Sequence, residues 1–463
     1  MSAARFSPRK FWLILADSAI IYGGIVLALY LRLGLEGSAN ELNVRNGWFK
    51  IALATSICLL NLYFYDLYDY IVMTNRRELM LRLVQALGIA WALLALLFYF
   101  APPLMIGRGV SVISVPLVLV LLLGWRIAIH SLTGHPEIGE KILVVGTGKT
   151  ALDTAEAVWE RRDAGYRIVG FISENGAKPM DKLGQSIILG KAPDLESVII
   201  NENIDRVVIA VRERRGAFPT EALLRMSLAG DVAIEECTSF FERITGKVHV
   251  DMLRPSWLIF AGRRRDSRLK IVFREFVHRL LALAGLIISL PVAILTAILI
   301  KVTSRGPVFY KQERVGKNGH TFNVIKFRSM RTDAEADGTP VWAVDNDERT
   351  TFIGKIIRKI RVDEIPQFWN IIKGEMSFVG PRPERPHFVK QLATEVSFYE
   401  HRHLVAPGLT GWAQIKYPYG ASVADAIQKL QYDLYYIKNQ SLTLDLVIIF
   451  DTVKTVLFGK GGR

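Results

Sequence analysis

The sequence predicts three parts in series. A membrane α-helical bundle covers 1–132, an α/β Rossmann-like domain covers 138–250, and a mostly α (α+β) domain with a re-entrant membrane helix at 280–300 covers 262–463. Three observations carry that prediction. Four apolar runs of near-spanning length fill the first 130 residues. Strands and helices then alternate behind a glycine turn. A further apolar segment, Leu280–Ile300, holds Pro291 near its middle and has cations at both ends.

The bundle follows from length and charge. The runs Phe11–Leu33, Phe49–Tyr68, Leu83–Ala101 and Val110–His130 each approach the ~20 residues needed to cross a bilayer. The first is too long for a signal peptide and lacks a small-residue cleavage site. Cations favour the cytoplasmic side. Arg5, Arg9 and Lys10 precede the first run and Arg76, Arg77 and Arg82 fill the second connection, whereas the first connection sets Glu36 and Glu41 against Arg45 and the third has only Arg108. Four crossings with both ends in the cytoplasm result. Asp17 within the first run is costly facing lipid, so it faces another helix, with a proton path as the alternative. The composition agrees: 51% of the 463 residues are hydrophobic and the mean hydropathy is +0.25. The net charge of +14 suits an anionic membrane surface or phosphorylated ligands. Nucleic acid is the competing partner for such charge, and no nucleic-acid motif accompanies it. Cys58 and Cys237 make neither a metal nor a disulfide pattern.

In the middle region Lys141–Val145 reads as a buried strand. Gly146-Thr147-Gly148-Lys149-Thr150-Ala151 then turns into a helix over Leu152–Arg162. Strands at Arg167–Ile172, Asp205–Val211 and Asp231–Glu235 alternate with helices near Asp194–Asn203 and Pro219–Leu228, which argues a parallel sheet. The glycine turn can seat a phosphate on the helix N-terminus or serve only as a tight turn. Glu174 lies past the place where an acidic ribose partner is expected.

Arg263, Arg264, Arg265, Arg268, Lys270, Arg274 and Arg279 lead into Leu280–Ile300 and read as contacts to anionic lipid. Lys301, Arg305, Lys311 and Arg314 follow it. A plain span is one reading of this segment. A proline that removes a backbone bond and cations on both flanks predict instead a helix broken at Ser289-Leu290-Pro291, entering and leaving on one side. Phe322–Phe327 is strand-like, and alternation places Lys326 and Arg328 toward one anionic ligand; a plain surface strand is the alternative. Arg331 to Glu348, rich in acid, reads as a polar loop with Trp342 as packing.

The C-terminal domain is organised around Phe352–Val389, FIGKIIRKIRVDEIPQFWNIIKGEMSFVGPRPERPHFV. Lys355, Arg358, Lys359 and Arg361 run into Asp363 and Glu364. Pro366, Gln367, an apolar turn and the loop Gly380-Pro381-Arg382-Pro383-Glu384-Arg385-Pro386 follow. Adjacent helical residues point about 100° apart, so one carboxylate can attack a phosphorus while the other holds a divalent cation. Neither can approach a pyrophosphate unless cations offset its charge, and Arg358, Arg361, Arg382 and Arg385 offer bidentate forks. An isolated Asp-Glu pair is as readily a solvated helix start; the full stretch favours the chemical reading. Further on, Pro407-Gly408-Leu409-Thr410-Gly411-Trp412 suggests a fixed turn near a ligand. Trp412 either stacks on a base or fills the core. His401 and His403 are acid–base candidates without a role. Gln428–Lys438 reads as an aromatic amphipathic helix, and Leu442–Leu457 as an apolar one suited to the interface. Asp433 and Asp445 read as solvent-facing or capping groups, with support of the site as the alternative.

This stretch, with KFRSM (Lys326–Met330) and PGLTGWAQI (Pro407–Ile415), resembles the bacterial polyprenyl-phosphate glycosyl-1-phosphate transferases, the monotopic phosphoglycosyl transferases that begin exopolysaccharide, capsule and O-antigen assembly. The resemblance is close over about 260–463, and the domain order upstream resembles the long members, of the undecaprenyl-phosphate glucose or galactose phosphotransferase type. It implies a re-entrant membrane helix. It also implies transfer of a sugar 1-phosphate from a UDP-sugar, a UDP-hexose being expected, to undecaprenyl phosphate at the cytoplasmic face of the bacterial inner membrane. Under it Asp363 is the nucleophile, Glu364 the Mg²⁺ ligand, and Lys326, Arg328, Arg358, Arg361, Arg382 and Arg385 bind phosphate. Gln367, Pro381, Pro383, Thr410 and Trp412 become turn and nucleotide contacts, and Ser289 and Pro291 the helix break. The middle module is regulatory or a dimer contact, so a homo-oligomer is left open.

Two other classes compete. A membrane-anchored NAD-dependent nucleotide-sugar dehydratase or epimerase needs a Tyr-x-x-x-Lys pair, and Tyr435 has Lys438 at three residues rather than four. A non-enzymatic export scaffold would be indifferent to Asp363→Asn.

Overall fold

The computed structural model describes residues 8–68, 76–133, 139–161, 165–173, 188–211, 220–230, 232–250, 267–332, 349–417, 420 and 422–457. Arg5, Glu174, Arg263 to Arg265, the acidic stretch from Asp333 to Glu348 and Trp342 lie outside the described residues, as do the side chains of Arg9, Lys10, Arg76 and Arg77. The chain forms two compact units, 5–235 and 236–463.

Among the described residues the first unit opens with four α-helices, α1 (Pro8–Asn43), α2 (Gly47–Phe64), α3 (Arg76–Phe100) and α4 (Arg108–Thr133). Each contains a stretch long and apolar enough to cross a membrane. α1 outruns its apolar run by ten residues, changing direction at Gly34, where φ is 69°. Ile21, Ile25, Leu29, Ile51, Leu62, Leu83, Leu94 and Val118 face inward, while Leu31, Leu81, Leu96, Val112 and Val120 face out. Interhelical packing and an apolar exterior are what a bilayer solvent selects. Asp17 is fully buried and pairs with an equally buried Arg126 on α4. That guanidinium also donates to the Leu67 carbonyl at 2.9 Å and stands over the Tyr68 ring. The expectation that Asp17 faces another helix is met by a charge partner 109 residues away.

The same unit holds β1 (Glu140–Val145), α5 (Lys149–Glu160), β2 (Tyr166–Ser173), β3 (Ile188–Lys191), α6 (Leu195–Glu202), β4 (Arg206–Ile209), α7 (Thr220–Ala229) and β5 (Ala233–Glu236). The sheet order is β3-β2-β1-β4-β5, and β1 pairs in parallel with β2 and β4. Both sides of its centre are covered, so Ile142 to Val145 are all buried and read as one apolar run rather than an alternation. Gly146 takes φ 123° in the turn before α5. β3 had no counterpart in the sequence reading, because four residues are too few for a period to show.

The second unit begins earlier than predicted. α8 (Cys237–Thr245) and the chain up to Val250, expected at the end of the α/β domain, pack with the C-terminal core. Gly246 accepts from Trp412 Nε1 at 2.7 Å, and Lys438 and Asn439 donate to Glu242. Helix α9 (Arg268–Thr303) follows, capped by Ser267, which accepts from the Lys270 amide. Next come a β6 (Phe309–Val315)/β7 (Thr321–Phe327) hairpin, α10 (Phe352–Lys359), a 3₁₀ turn (Val362–Glu364) and α11 (Gln367–Lys373). β8 (Ser377–Val379), α12 (Pro386–Glu395), β9 (Gly408–Thr410), α13 (Trp412–Lys416), α14 (Val423–Asn439) and α15 (Leu442–Leu457) complete the unit.

α9 corrects the expected break: it runs as one helix with Ser289 and Pro291 inside it. A proline removes a single backbone bond, and here packing on either side of it holds the helix. Ala282 is buried with Val324, Ile371 and Met376, and Ile300 with Phe327 and Ile357. Between and beside these contacts the helix is apolar and exposed, as at Ile287, Ile288, Leu295 and Val302.

Candidate active site

The site is assembled from the edge of β7, the 3₁₀ turn and the loop after β8. Asn370 joins the first two. It is fully buried on α11. Its Oδ1 accepts from the Ile325 amide at 3.1 Å, and its Nδ2 donates to the Asn323 carbonyl at 2.8 Å and to Glu375 at 2.7 Å. An amide that pairs with a strand edge like a neighbouring strand fixes β7 against α11 and brings Lys326 to Glu364. The sequence reading treated Asn370 as part of an apolar turn; a lone amide among Phe368, Trp369, Ile371 and Ile372 is the signal it passed over, since buried amides must be paired.

The loop after β8 is held along its length. β8 and β9 lie parallel, with Gly380, Gly408 and Gly411 so close that a Cβ on Gly408 would overlap Gly380 N and one on Gly411 would overlap Gly380 O. This close approach is why GPRP and PGLTG meet. Val379 O accepts from Tyr436 at 3.0 Å, Pro381 O from the Gly408 amide at 2.9 Å, Arg382 O from Arg402 at 3.1 Å and Pro383 O from Arg314 at 3.1 Å. Pro381 and Pro383 are buried. Arg402 is buried too and paired with Asp433 at 2.9 Å.

Glu364 lies at the centre. Its Oε1 accepts from Lys326 at 3.0 Å and Arg382 at 2.9 Å, and Arg361 stands 3.6 Å from Oε2. Burial alone would raise its pKa, but Lys326, Arg382 and Arg361 outweigh that and hold the carboxyl well below the usual range. Arg361 reaches it from a left-handed backbone, φ 56°, a conformation that costs a non-glycine residue about 1 kcal/mol or more. Asp363, one residue earlier, differs. It is 8% exposed, and among the described residues no hydrogen bond or ion pair engages its carboxylate. Burial pushes it up to about 6, against the pull of Lys326, with Glu364 adding to the rise and Arg358 and Arg382 opposing it. Neighbouring carboxylates of divergent acidity, one neutralised by cations and one left open, are the marks of a reactive pair. The open one can attack an electrophile while the cations around its neighbour receive anionic oxygens.

Lys326, Arg358, Arg361, Arg382, Asp363 and Glu364 are thus brought together. Arg358 also donates to Thr350, and Arg382 to Gln414 at 3.1 Å; Gln414 was not foreseen. Gln367 is buried beneath the turn with Nε2 unpaired. Arg385 is half-buried at the N-cap of α12. Arg328 is a correction. β7 ends at Phe327, so strand alternation does not reach it, and it turns away from Lys326 to donate to the Ser304 and Arg305 carbonyls at the end of α9. Trp412 resolves as core: it is buried, stacked on Tyr435. Thr410 is buried, its hydroxyl 2.6 Å from that of Thr452. Ser289 and Pro291 lie on α9, outside this cluster.

Asp433 and Asp445, expected in solvent or at caps, are both buried. Asp445 accepts from Tyr436 at 2.8 Å and lies 3.1 Å from His278 Nε2, whose Nδ1 is 2.6 Å from the Ser377 hydroxyl. His278 and Tyr436 were not foreseen as site supports: one lies in a basic run and the other in an aromatic amphipathic helix, and nothing local to either points to Asp445. Burial beside Arg402 lowers the pKa of His403 to about 4, which leaves it neutral at physiological pH. Tyr435 and Lys438, the nearest approach to a Tyr-Lys catalytic pair, are committed to Trp412 and to Glu242.

Fold and site together define a membrane-seated protein with a cluster of cations around an open carboxylate. Comparison with known proteins is specific. The model of the bacterial sugar transferase family matches residues 269–459, and that of a CoA-binding domain matches 64–217. The exopolysaccharide production protein PSS of Rhizobium leguminosarum bv. phaseoli is 41% identical over 189 residues, 39% of this chain and 93% of that protein. The UDP-N-acetylgalactosamine-undecaprenyl-phosphate N-acetylgalactosaminephosphotransferase of Aeromonas hydrophila is 40% identical over 271 residues, 58% of this chain and 62% of its own length. The undecaprenyl-phosphate glucose phosphotransferase of Komagataeibacter xylinus is 32% identical over 345 residues, 72% of this chain and again 62% of its own. The chain therefore spans just under two thirds of these two longer relatives. It belongs to the bacterial sugar transferase family, in the long form that also carries the CoA-binding-type module.

Proposed function

We propose that the protein transfers a sugar 1-phosphate from a UDP-sugar, of the UDP-hexose class, to undecaprenyl phosphate. The observation that carries this is the open, buried Asp363 beside a Glu364 already neutralised by cations. An Asp363 oxygen attacks the phosphorus that bears the sugar, and the bond from that phosphorus to the UMP oxygen breaks, so UMP leaves with the electron pair. An oxygen of the lipid phosphate then attacks the aspartyl phosphosugar, the bond to Asp363 breaks, and the carboxylate is regenerated. Neither step requires a proton from the protein. Arg358, Arg382 and Lys326 face the diphosphate and offset its charge as Asp363 approaches.

Magnesium fits this site as a shared ligand. Among the described residues no cluster of three or more His, Cys, Asp or Glu forms a cage. The adjacent carboxylates of Asp363 and Glu364, with Oε2 of Glu364 only loosely paired, suit a cation that binds mainly through substrate phosphates. When bound it supplies further neutralisation of the diphosphate.

The reading includes a one-sided placement of α9, which enters the membrane without crossing it. Both halves of the helix pack against one folded unit, and that unit cannot lie on both sides of a bilayer. Its exposed apolar face then lies in the cytoplasmic leaflet of the inner membrane, holding Asp363 at the depth of lipid phosphates. A homo-oligomer formed through the middle module is compatible with this reading.

The test is UMP release from a panel of UDP-sugars by detergent-solubilised protein with Mg²⁺ and undecaprenyl phosphate. Release from one sugar by wild type, abolished in Asp363→Asn, is expected. Release that survives Asp363→Asn, or kinetics demanding a ternary complex, would sink the covalent mechanism.

A further inference from the structure

We propose that the N-terminal bundle carries an anion site of its own, built for the phosphate of a lipid headgroup. A cavity of about 670 Å³ opens at the end of the bundle formed by the first and third connections, within the range of ordinary ligand sites. Arg32, Arg45 and Lys50 line it against a single carboxylate, Glu41. Lys50 and Glu41 are each 7% exposed. Lys50 is held in place by Glu41 Oε1 at 2.8 Å and the Met105 carbonyl at 3.2 Å, so a buried cation is fixed in the wall. Arg45 reaches Glu41 only at 3.6 Å. Arg32 has no ion pair among the described residues and lies against the backbone of Gly109.

Fixed dipoles add to this surplus of positive charge. Asn46, at the N-cap of the 18-residue α2, has no side-chain cap bond and lines the cavity, as do Gly107 and Gly109 at the start of α4. Helix N-termini present amides and partial positive charge to anions. Depth selects the class of anion. Arg32 follows the apolar part of α1, and the cavity sits where α2 and α4 begin their apolar stretches, the level at which long cationic side chains at helix ends reach the headgroup layer of either leaflet. Leu33, Met105 and Val110 supply an apolar wall for the glycerol and acyl end. This site lies in the first unit, and Asp363 and Glu364 lie in the second.

The experiment uses the full chain. Wild type and Arg32→Gln/Arg45→Gln are reconstituted in nanodiscs of phosphatidylcholine with phosphatidylglycerol, and retained lipid is read by native mass spectrometry. In parallel, inorganic phosphate is titrated against thermal unfolding in detergent. Both arginines are polar and accessible, and UMP release unchanged from wild type verifies that the variant is folded. Phosphatidylglycerol retained by wild type and about thirtyfold weaker in the variant, roughly fivefold for each exposed charge pair lost, is the expected result. Stabilisation by phosphate that the variant loses, without retained lipid, would keep the anion site and assign it a soluble ligand. Equal behaviour of the two proteins in both arms overturns the proposal.

Discussion

Lys326→Met tests the electrostatics of the site in a way that simple loss of activity cannot. Lys326 neutralises Glu364 and is the largest single charge pulling the Asp363 pKa down, against burial that sets it near 6. Removing a neighbouring opposite charge raises the pKa of a carboxyl by about one to three. Glu364 keeps Arg382 and Arg361 and stays ionised, so the change falls on Asp363. A nucleophile must be deprotonated, so activity rises with pH through its pKa. Wild type at about 6 is about nine-tenths ionised at pH 7; a rise of one unit leaves about half, and a rise of three about 1%. The assay is the initial rate of UMP release from pH 5 to 9. The acid limb should move up from about 6, with much of the pH 7 loss recovered at pH 9. A rate lowered equally at every pH, with the limb unmoved, would refute the coupling and leave Lys326 as a substrate contact alone. The sign for stability is separate. The folded chain holds at Asp363 a proton that the unfolded chain releases between about pH 4 and 6. That contribution is full at low pH and is lost as pH rises through about 6.

Two further outcomes follow from packing. Asn370→Ala strips the Ile325 amide and Glu375 of a partner, and should cost about 1–3 kcal/mol in denaturant unfolding of the solubilised protein; an unchanged midpoint would mean that water replaces the amide. Gly408→Ala forces a methyl into the Gly380 backbone, and should destabilise by about 1–3 kcal/mol while raising KM for the UDP-sugar through displacement of Arg382. Wild-type kinetics and stability in that variant would remove the close approach as an explanation of the paired glycine motifs.

What the sequence displayed and what it hid divide along physical lines. The bilayer demands a minimum apolar length, so α1 to α4 were visible as runs, and a sheet buried on both faces shows itself as unbroken aliphatic residues at Ile142–Val145. Asp363 and Glu364 stood out because adjacent acids amid so many cations are chemically unusual. Contacts closed by distant segments were not visible. Nothing local to Arg126 announces Asp17, 109 residues away. Strand alternation misplaced Arg328 by the single residue that separates it from the end of β7. The buried Asp445–His278 contact joins helices 167 positions apart in the chain, a pairing no periodicity contains.

The position of α8 changes what counts as the smallest piece of this protein able to fold. A fragment cut at the start of the 269–459 family match would leave the Trp412 indole without the Gly246 carbonyl, Lys438 without Glu242, and the core that includes Leu430 and Tyr435 without Val248 and Val250. Such a fragment would expose an apolar face in the folded part rather than in the membrane helix, and detergent would not repair it. An expression boundary placed just before Cys237 keeps that face closed.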